Sequence, residues 1–175
     1  TEEEFKDLFY LAGLFIGDGS GRKFIAGKEQ LTIILQNICR KFLIKTRRVE
    51  RKDRTPEIHT DNLTLVQILN SLFDYPLKKK SHNVRISKFV WKNENKYAAH
   101  LLRGYFDTDG CVEKSRRAVT ITSASKQMIE DLQKWRQERQ KDIERERLLQ
   151  LGTICKLEIL HQYVFRNSNP AVFGV

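Results

Sequence analysis

Apolar residues crowd the start of the chain. Phe5, Leu8, Phe9, Leu11, Ala12 and Ile16 leave almost no polar stripe, which predicts a buried helix over Glu2 to Asp18. The pattern returns from Asn95 to Asp109, where Tyr97, Ala98, Leu101, Leu102, Tyr105 and Phe106 cover most sides. Residues 22–36 read as a hairpin, with a turn at Gly27-Lys28 and a β-rich run from Leu31 to Gln36. Only Asn37 to Phe42 then precedes a strand-like run, Ile44 to Arg51, so a helix at that point is expected to be very short or missing. The turn Lys52-Asp53-Arg54 leads into a strand over Thr55 to Thr60. Asp61 is placed to cap a helix over Asn62 to Phe73 with Leu65, Ile68, Leu69 and Leu72 at helical spacing. Phe89 and Trp91 are expected to pin the connection between the halves to the core. In the second half, Cys111 to Lys114 and Ala118 to Ser123 form a hairpin. A helix capped by Ser125 or Ser123 begins near Lys126, carries Ile129, Leu132 and Trp135, and continues as a charged extension to Arg147. A last hairpin is expected from Thr153 to Ile159 and His161 to Arg166.

The two apolar helices share more than hydrophobicity. The first ends Leu11-Ala12-Gly13-Leu14-Phe15-Ile16-Gly17-Asp18-Gly19, and the second ends Leu102-Arg103-Gly104-Tyr105-Phe106-Asp107-Thr108-Asp109-Gly110. Gly13 and Gly17, like Gly104 and Thr108, are four apart and so share a helix face, where small residues let two backbones approach closely. Each copy ends in Asp-Gly, and the glycine suits a left-handed helix stop. The aspartates are costly there. A carboxylate at a helix C-terminus meets the negative end of the macrodipole, and packing the helices together adds like-charge repulsion between Asp18 and Asp109. A divalent cation held by carboxylate oxygens would resolve both costs.

Charge supports an anionic partner. The chain has 175 residues, with 32 Lys and Arg against 22 Asp and Glu, a net charge of +10 and a pI near 9.6. Nucleic acid is the default partner for such a balance. Lys45, Arg47 and Arg51 alternate along one strand face and suit a DNA groove. Arg116 and Arg117 lie at the second hairpin's turn, where they would meet phosphate. Cys39, Cys111 and Cys155 have no CxxC spacing, and the four histidines form no ligand pattern, so neither a disulfide framework nor a zinc site is expected. No apolar run approaches the roughly 18 residues needed to span a bilayer. An intracellular setting is expected, in the cytoplasm of an archaeon or bacterium or in an organelle.

The paired motif resembles the LAGLIDADG family of homing endonucleases, in the form that carries two motifs on one chain. The resemblance implies an α+β fold of two pseudo-twofold αββαββ-type repeats, with saddle-shaped antiparallel sheets and a central two-helix interface. The repeats would span residues 1–85 and 95–175, with a linker at 86–94 and a second repeat that is short at its C-terminus. It implies a site-specific endonuclease that cuts both strands of DNA at a long, nearly palindromic site and leaves short 3′ overhangs. Asp18 and Asp109 would hold Mg²⁺, with Mn²⁺ as a substitute, and Gly17 and Thr108 would belong to the metal set. Lys80, directly before Ser81, resembles a lysine near the scissile phosphate. Lys114 is a reserve candidate for that role. Gln36 matches a position that often carries glutamine near the active site. Two motifs in one chain imply a monomer. Asp107 reads as a local hydrogen-bonding group. The alternative within the family is a non-cleaving RNA maturase or DNA-binding regulator. The chain shows no N-terminal Cys or Ser and no C-terminal His-Asn, so it is not expected to splice itself. The Lys-Ser segment leans toward an intein or archaeal source.

Overall fold

The computed structural model of the chain describes residues 1–149 except 26, 53, 61, 93 and 114–117. Helix α1 spans Glu2–Asp18 and is followed by two short strands, β1 (Gly19–Ser20) and β2 (Lys23–Phe24). Helix α2 (Glu29–Lys41) precedes strands β3 (Thr46–Arg51) and β4 (Arg54–Thr60). Helices α3 (Leu63–Phe73), α4 (Lys80–Asn83) and α5 (Lys88–Lys92) lead to the second motif helix, α6 (Glu94–Asp109). Strands β5 (Gly110–Glu113) and β6 (Ala118–Ile121) and helix α7 (Lys126–Leu149) complete the described chain. The fold is thus mixed helix and sheet. One antiparallel sheet runs β1-β2-β4-β3, and β5 and β6 form a separate pair. Among the described residues, no helix is long and apolar enough to cross a membrane.

α1 and α6 form the core. Phe9, Leu11, Ala12, Leu14, Phe15 and Ile16 are all buried on α1, as are Ala98, Leu101, Leu102 and Tyr105 on α6. The contact is glycine-made. A methyl group on Gly13 would run into the Leu101 carbonyl and come within 2.8 Å of the Tyr105 nitrogen. A methyl on Gly104 would strike the Tyr10 carbonyl and come within 2.9 Å of the Leu14 nitrogen. Gly17 makes room for Thr108, whose hydroxyl donates to the Tyr105 carbonyl at 2.8 Å. Tyr10 closes the seam by donating its hydroxyl to Asp107 Oδ2 at 2.7 Å, so Asp107 is the local hydrogen-bonding group expected of it.

Four expectations need correction. The run Leu31 to Gln36 is not a strand. It lies in α2, because Leu31, Thr32, Leu35, Ile38 and Cys39 recur at helical spacing and bury one face. Ile33 and Ile34, which made the run look β-rich, are 48% and 38% exposed on the outer side. The helix expected to be very short or missing is therefore present, shifted toward the N-terminus. It is tied to α1 by Lys41 and Asp7 at 2.6 Å. The glycines after the two aspartates are not left-handed stops: Gly19 has φ −75° and ψ 150°. They are needed for space, since a Cβ on Gly19 would sit 2.8 Å from the Phe15 ring, and one on Gly110 would sit 3.0 Å from the Phe106 ring. Asn62, not Asp61, caps α3, by accepting from the Leu65 amide at 3.2 Å; Asp61 lies outside the described residues. Lastly, the alternation of Val119 and Ile121 with Thr120 and Thr122, which predicts a strand with one wet face, does not hold: Val119 is exposed, while Ala118 and Ile121 are buried.

Other expectations hold. Phe89 packs against Phe9 and edge-on to Phe73 at ring-centroid distances of 5.7 and 5.8 Å, and Lys134 sits 4.7 Å over the Trp91 ring. Ser125 caps α7 by accepting from the Met128 amide and donates to the Val84 carbonyl at 2.6 Å. The buried Asp131 accepts from the Ile86 amide at 2.8 Å. The expected last hairpin, Thr153 to Arg166, lies outside the described residues.

The glycine seam makes a stability prediction. Gly13→Ala should cost about 3 kcal/mol, as overpacking against backbone does, and lower the thermal midpoint by roughly 10 °C. Gly104→Ala should do the same. The double variant should lose less than the sum, because one displacement of the helices relieves both clashes. Gly27→Ala, with open space around it, should change the midpoint little. Differential scanning calorimetry of the four variants beside wild type checks this.

Candidate active site

The seam carries both motif helices to a common end. Asp18 is the last residue of α1 and Asp109 the last of α6. Each carboxylate belongs to the last residue of its helix, where the dipole is negative and no basic residue occupies the last turn. Burial raises the pKa of both above the ordinary carboxylate value of 3.8. For Asp109 burial is the main cause and the charge of Asp18 adds to it, lifting it to about 6. Lys80 pulls both values back, and the Gly27 backbone helps at Asp18.

Lys80 is the third member of the site. It is the first residue of α4, and Lys79 before it is left-handed at φ 49°. The Lys80 ammonium donates to the Ile16 carbonyl at 2.9 Å and to the Gly17 carbonyl. These are carbonyls of the final turn of α1, of the kind a helix end leaves without partners. Burial lowers the Lys80 pKa, while Asp109 and Asp18 act to raise it. Of the three lysines in the run, Lys80 alone is held this way; Lys78 and Lys79 are exposed.

Two carboxylates and a lysine are a donor set for a hard cation and a phosphate. Among the described residues no group of three or more His, Cys, Asp or Glu side chains converges on one point. A pair of carboxylates fits Mg²⁺, which binds through one or two carboxylates, substrate phosphates and water. The Gly17 carbonyl already accepts from Lys80, so only its second lone pair is open. The Thr108 hydroxyl donates its proton to carbonyls within α6, bonds that do not use its oxygen lone pairs.

Gln36 does not keep its expected setting. The β-rich pattern predicts it at a strand end, and it lies instead within α2, half-buried. Lys45 and Arg47 are exposed, Lys45 just before β3 and Arg47 on it. Arg51, at the end of β3, donates to Glu57 at 2.7 Å. Lys114, Arg116 and Arg117 lie outside the described residues. Sequence reasoning missed the group around Glu57, which joins Lys23 and His59 to Arg51. The signal for it is that Glu57 and His59 alternate on β4 as Lys45 and Arg47 do before and along β3.

The aspartates carry a stability cost that can be measured without substrate. Between about pH 4 and pH 6 the folded chain keeps a proton on Asp109 that the unfolded chain has released, so stability falls as pH rises through that window. In EDTA, Asp109→Asn should therefore stabilise the protein at pH 7.5 by about 1 to 2 kcal/mol, allowing for solvent screening. That is a midpoint rise of roughly 4 °C. At pH 4 the gain should vanish, and thermal melts at the two pH values check it.

Comparison with known proteins agrees with this geometry. Residues 96–138, which span most of α6, β5, β6 and the start of α7, match the model of a LAGLIDADG-like domain. The chain is 39% identical over 128 residues to "Elongation factor 2" of Methanopyrus kandleri, covering 73% of this chain and 10% of that protein. It is 34% identical over 130 residues to "Probable translation initiation factor IF-2" of Methanocaldococcus jannaschii, covering 74% and 11%. It is 32% identical over 172 residues to "Replication factor C small subunit" of the same organism, covering 93% and 8%. The chain thus spans about a tenth of the length of the curated relatives it matches. Glycine-packed motif helices that end in paired aspartates, together with the family match over the second of them, show that this chain carries a LAGLIDADG-like domain at residues 96–138.

Proposed function

We propose that the chain is a site-specific, metal-dependent DNA endonuclease of the homing type, active as a monomer. The observation that supports it most is the pairing of Asp18 and Asp109, two half-buried like charges at helix C-termini, beside a lysine anchored to the end of one helix. The α1–α6 seam and the four-stranded sheet support a pseudo-twofold fold with a sheet in each half over the DNA. Asp18 and Asp109 would hold Mg²⁺ or Mn²⁺, which supplies an activated water and stabilises the leaving 3′ oxygen. Asp18 and Asp109 present the negative charge that makes the site selective for a cation. Lys80 keeps its ammonium fixed near the scissile phosphate, where it stabilises charge that develops during cleavage. Lys45 and the basic strand β3 grip the backbone, so affinity should fall steeply with salt. Both strands are cut from one chain, because each motif helix brings its own acid, leaving short 3′ overhangs.

The relatives point to the biological setting. An elongation factor, an initiation factor and a replication factor subunit have no named activity in common, yet each contains a stretch like this chain amounting to about a tenth of its length. A segment inserted into unrelated hosts accounts for both facts, as for the endonuclease region of an intein.

The test uses a library of long randomised duplexes with Mg²⁺, and sequencing of the ends. Wild-type protein should yield defined 3′-overhang ends. Asp18→Asn and Asp109→Asn should each lower cleavage by at least about a thousandfold while leaving duplex binding largely intact. Mg²⁺ at 10 mM or so should raise the thermal midpoint of the wild type and not of either variant. Retained double-strand cleavage by either variant would remove the metal assignment. Enriched binding without cut ends by the wild type would favour the maturase or regulator reading.

A further inference from the structure

The sheet face turned away from the core carries an acid among cations. Phe24 and Ile58 pair across β2 and β4 on the buried side. On the opposite side Lys23, His59 and Arg47 stand in register across β2, β4 and β3, and Glu57 pairs with Val49 beside them. A register shift between Val49 and Arg51 follows. Arg51 Nη2 donates to Glu57 Oε2 at 2.7 Å, His59 Nε2 lies 2.9 Å from the same oxygen, and Lys23 Nζ lies 3.9 Å from it. Glu57 is only 3% exposed, and Arg51 and His59 hold its carboxyl down at about 2.

A face meant only to attract phosphate would do better without that charge, because one carboxylate among the cations weakens the pull on a polyanion. The return is geometric. A guanidinium is a planar fork with five donors. Anchoring one nitrogen of Arg51 sets its plane while the side chain stays 37% exposed, with donors to spare. Arg48 shows the contrast: its guanidinium is engaged by Glu29 and Glu50, which spends it on the fold. Bidentate reading of guanine O6 and N7 requires a fork held in one plane.

We propose that Glu57 is a positioning residue for base recognition: it holds the Arg51 guanidinium, flanked by His59 and Lys23, in the plane that reads a guanine edge in the major groove. The proposal rests on the DNA-binding reading above and adds to it the residue that sets specificity on this sheet.

The experiment selects from a library of long randomised duplexes in Ca²⁺, using wild type, Glu57→Gln, Arg51→Ala and the double variant. It records total duplex retention, the base-preference profile and the thermal midpoint. Glu57→Gln should retain total duplex as well as wild type or up to about threefold better, while losing about tenfold preference at one or two adjacent base pairs. Those base pairs should be the ones that Arg51→Ala flattens, and the double variant should be no flatter than Arg51→Ala. Arg51→Lys keeps the charge and the pairing with Glu57 but not the fork, and should flatten the same base pairs even if Glu57→Gln fails to fold. An unchanged profile in Glu57→Gln or in Arg51→Lys overturns the proposal. So does flattening spread over the whole site, or confined to base pairs that Arg51→Ala leaves intact. Wild-type protein that enriches no sequence removes the DNA-reading premise, and the proposal with it; that outcome is read on the wild type alone.

Discussion

Backbone-to-backbone contact between α1 and α6 governs the molecule. Gly13 lies against the Leu101 carbonyl and Gly104 against the Tyr10 carbonyl, so each helix is recessed into the other. Such an approach gains dispersion contacts over the full length of both helices. It also leaves no freedom in where their ends fall. With the axial position set by interlocking glycines, Asp18 and Asp109 arrive together, and the chain after each turns directly into a strand. The sheets are therefore hung from the same seam that makes the site.

That arrangement opposes stability. Two carboxylates at negative helix ends, partly withdrawn from water, raise one another's cost. A site of this kind is poised to bind positive charge, and the fold supplies part of it through Lys80, tethered to the carbonyls of Ile16 and Gly17. The lysine thus does two things at once. It satisfies an exposed helix terminus, and it stands as a fixed cation beside the acids without neutralising either of them fully. Natural proteins tolerate such local losses where activity requires them.

Charge is distributed by the same logic over the sheet. Cations on the buried side are spent on holding elements together, as Arg48 is by Glu29 and Glu50. On the open side Lys23, Arg47 and His59 stand in register, with Glu57 drawing Arg51, His59 and Lys23 into one group. A basic protein is therefore not uniformly sticky: the pairing of each arginine decides whether it holds the fold or faces a partner.

The amino-acid sequence by itself determined the two motif helices, their glycine spacing and their terminal aspartates, because a buried helix needs apolar residues on most sides and close packing needs small ones. It also determined the β3–β4 ribbon, the α3 core stripe and the anchoring of Phe89 and Trp91. Three things were decided only by tertiary structure. α2 is a helix because its Leu31, Leu35, Ile38 and Cys39 face can be buried against the rest of the fold, which outweighs the local β tendency of Ile33 and Ile34 and removes Gln36 from a strand end. The glycines after the aspartates are required by the carbonyls and rings of Phe15 and Phe106, not by a left-handed backbone, and no local pattern carries that information. Finally, which of three consecutive lysines meets the aspartates, and which arginine meets Glu57, depend on distances between segments far apart in the chain. Spacing along a sequence records helix faces and strand alternation, whereas electrostatic partnership across the fold exists only once the helices have packed.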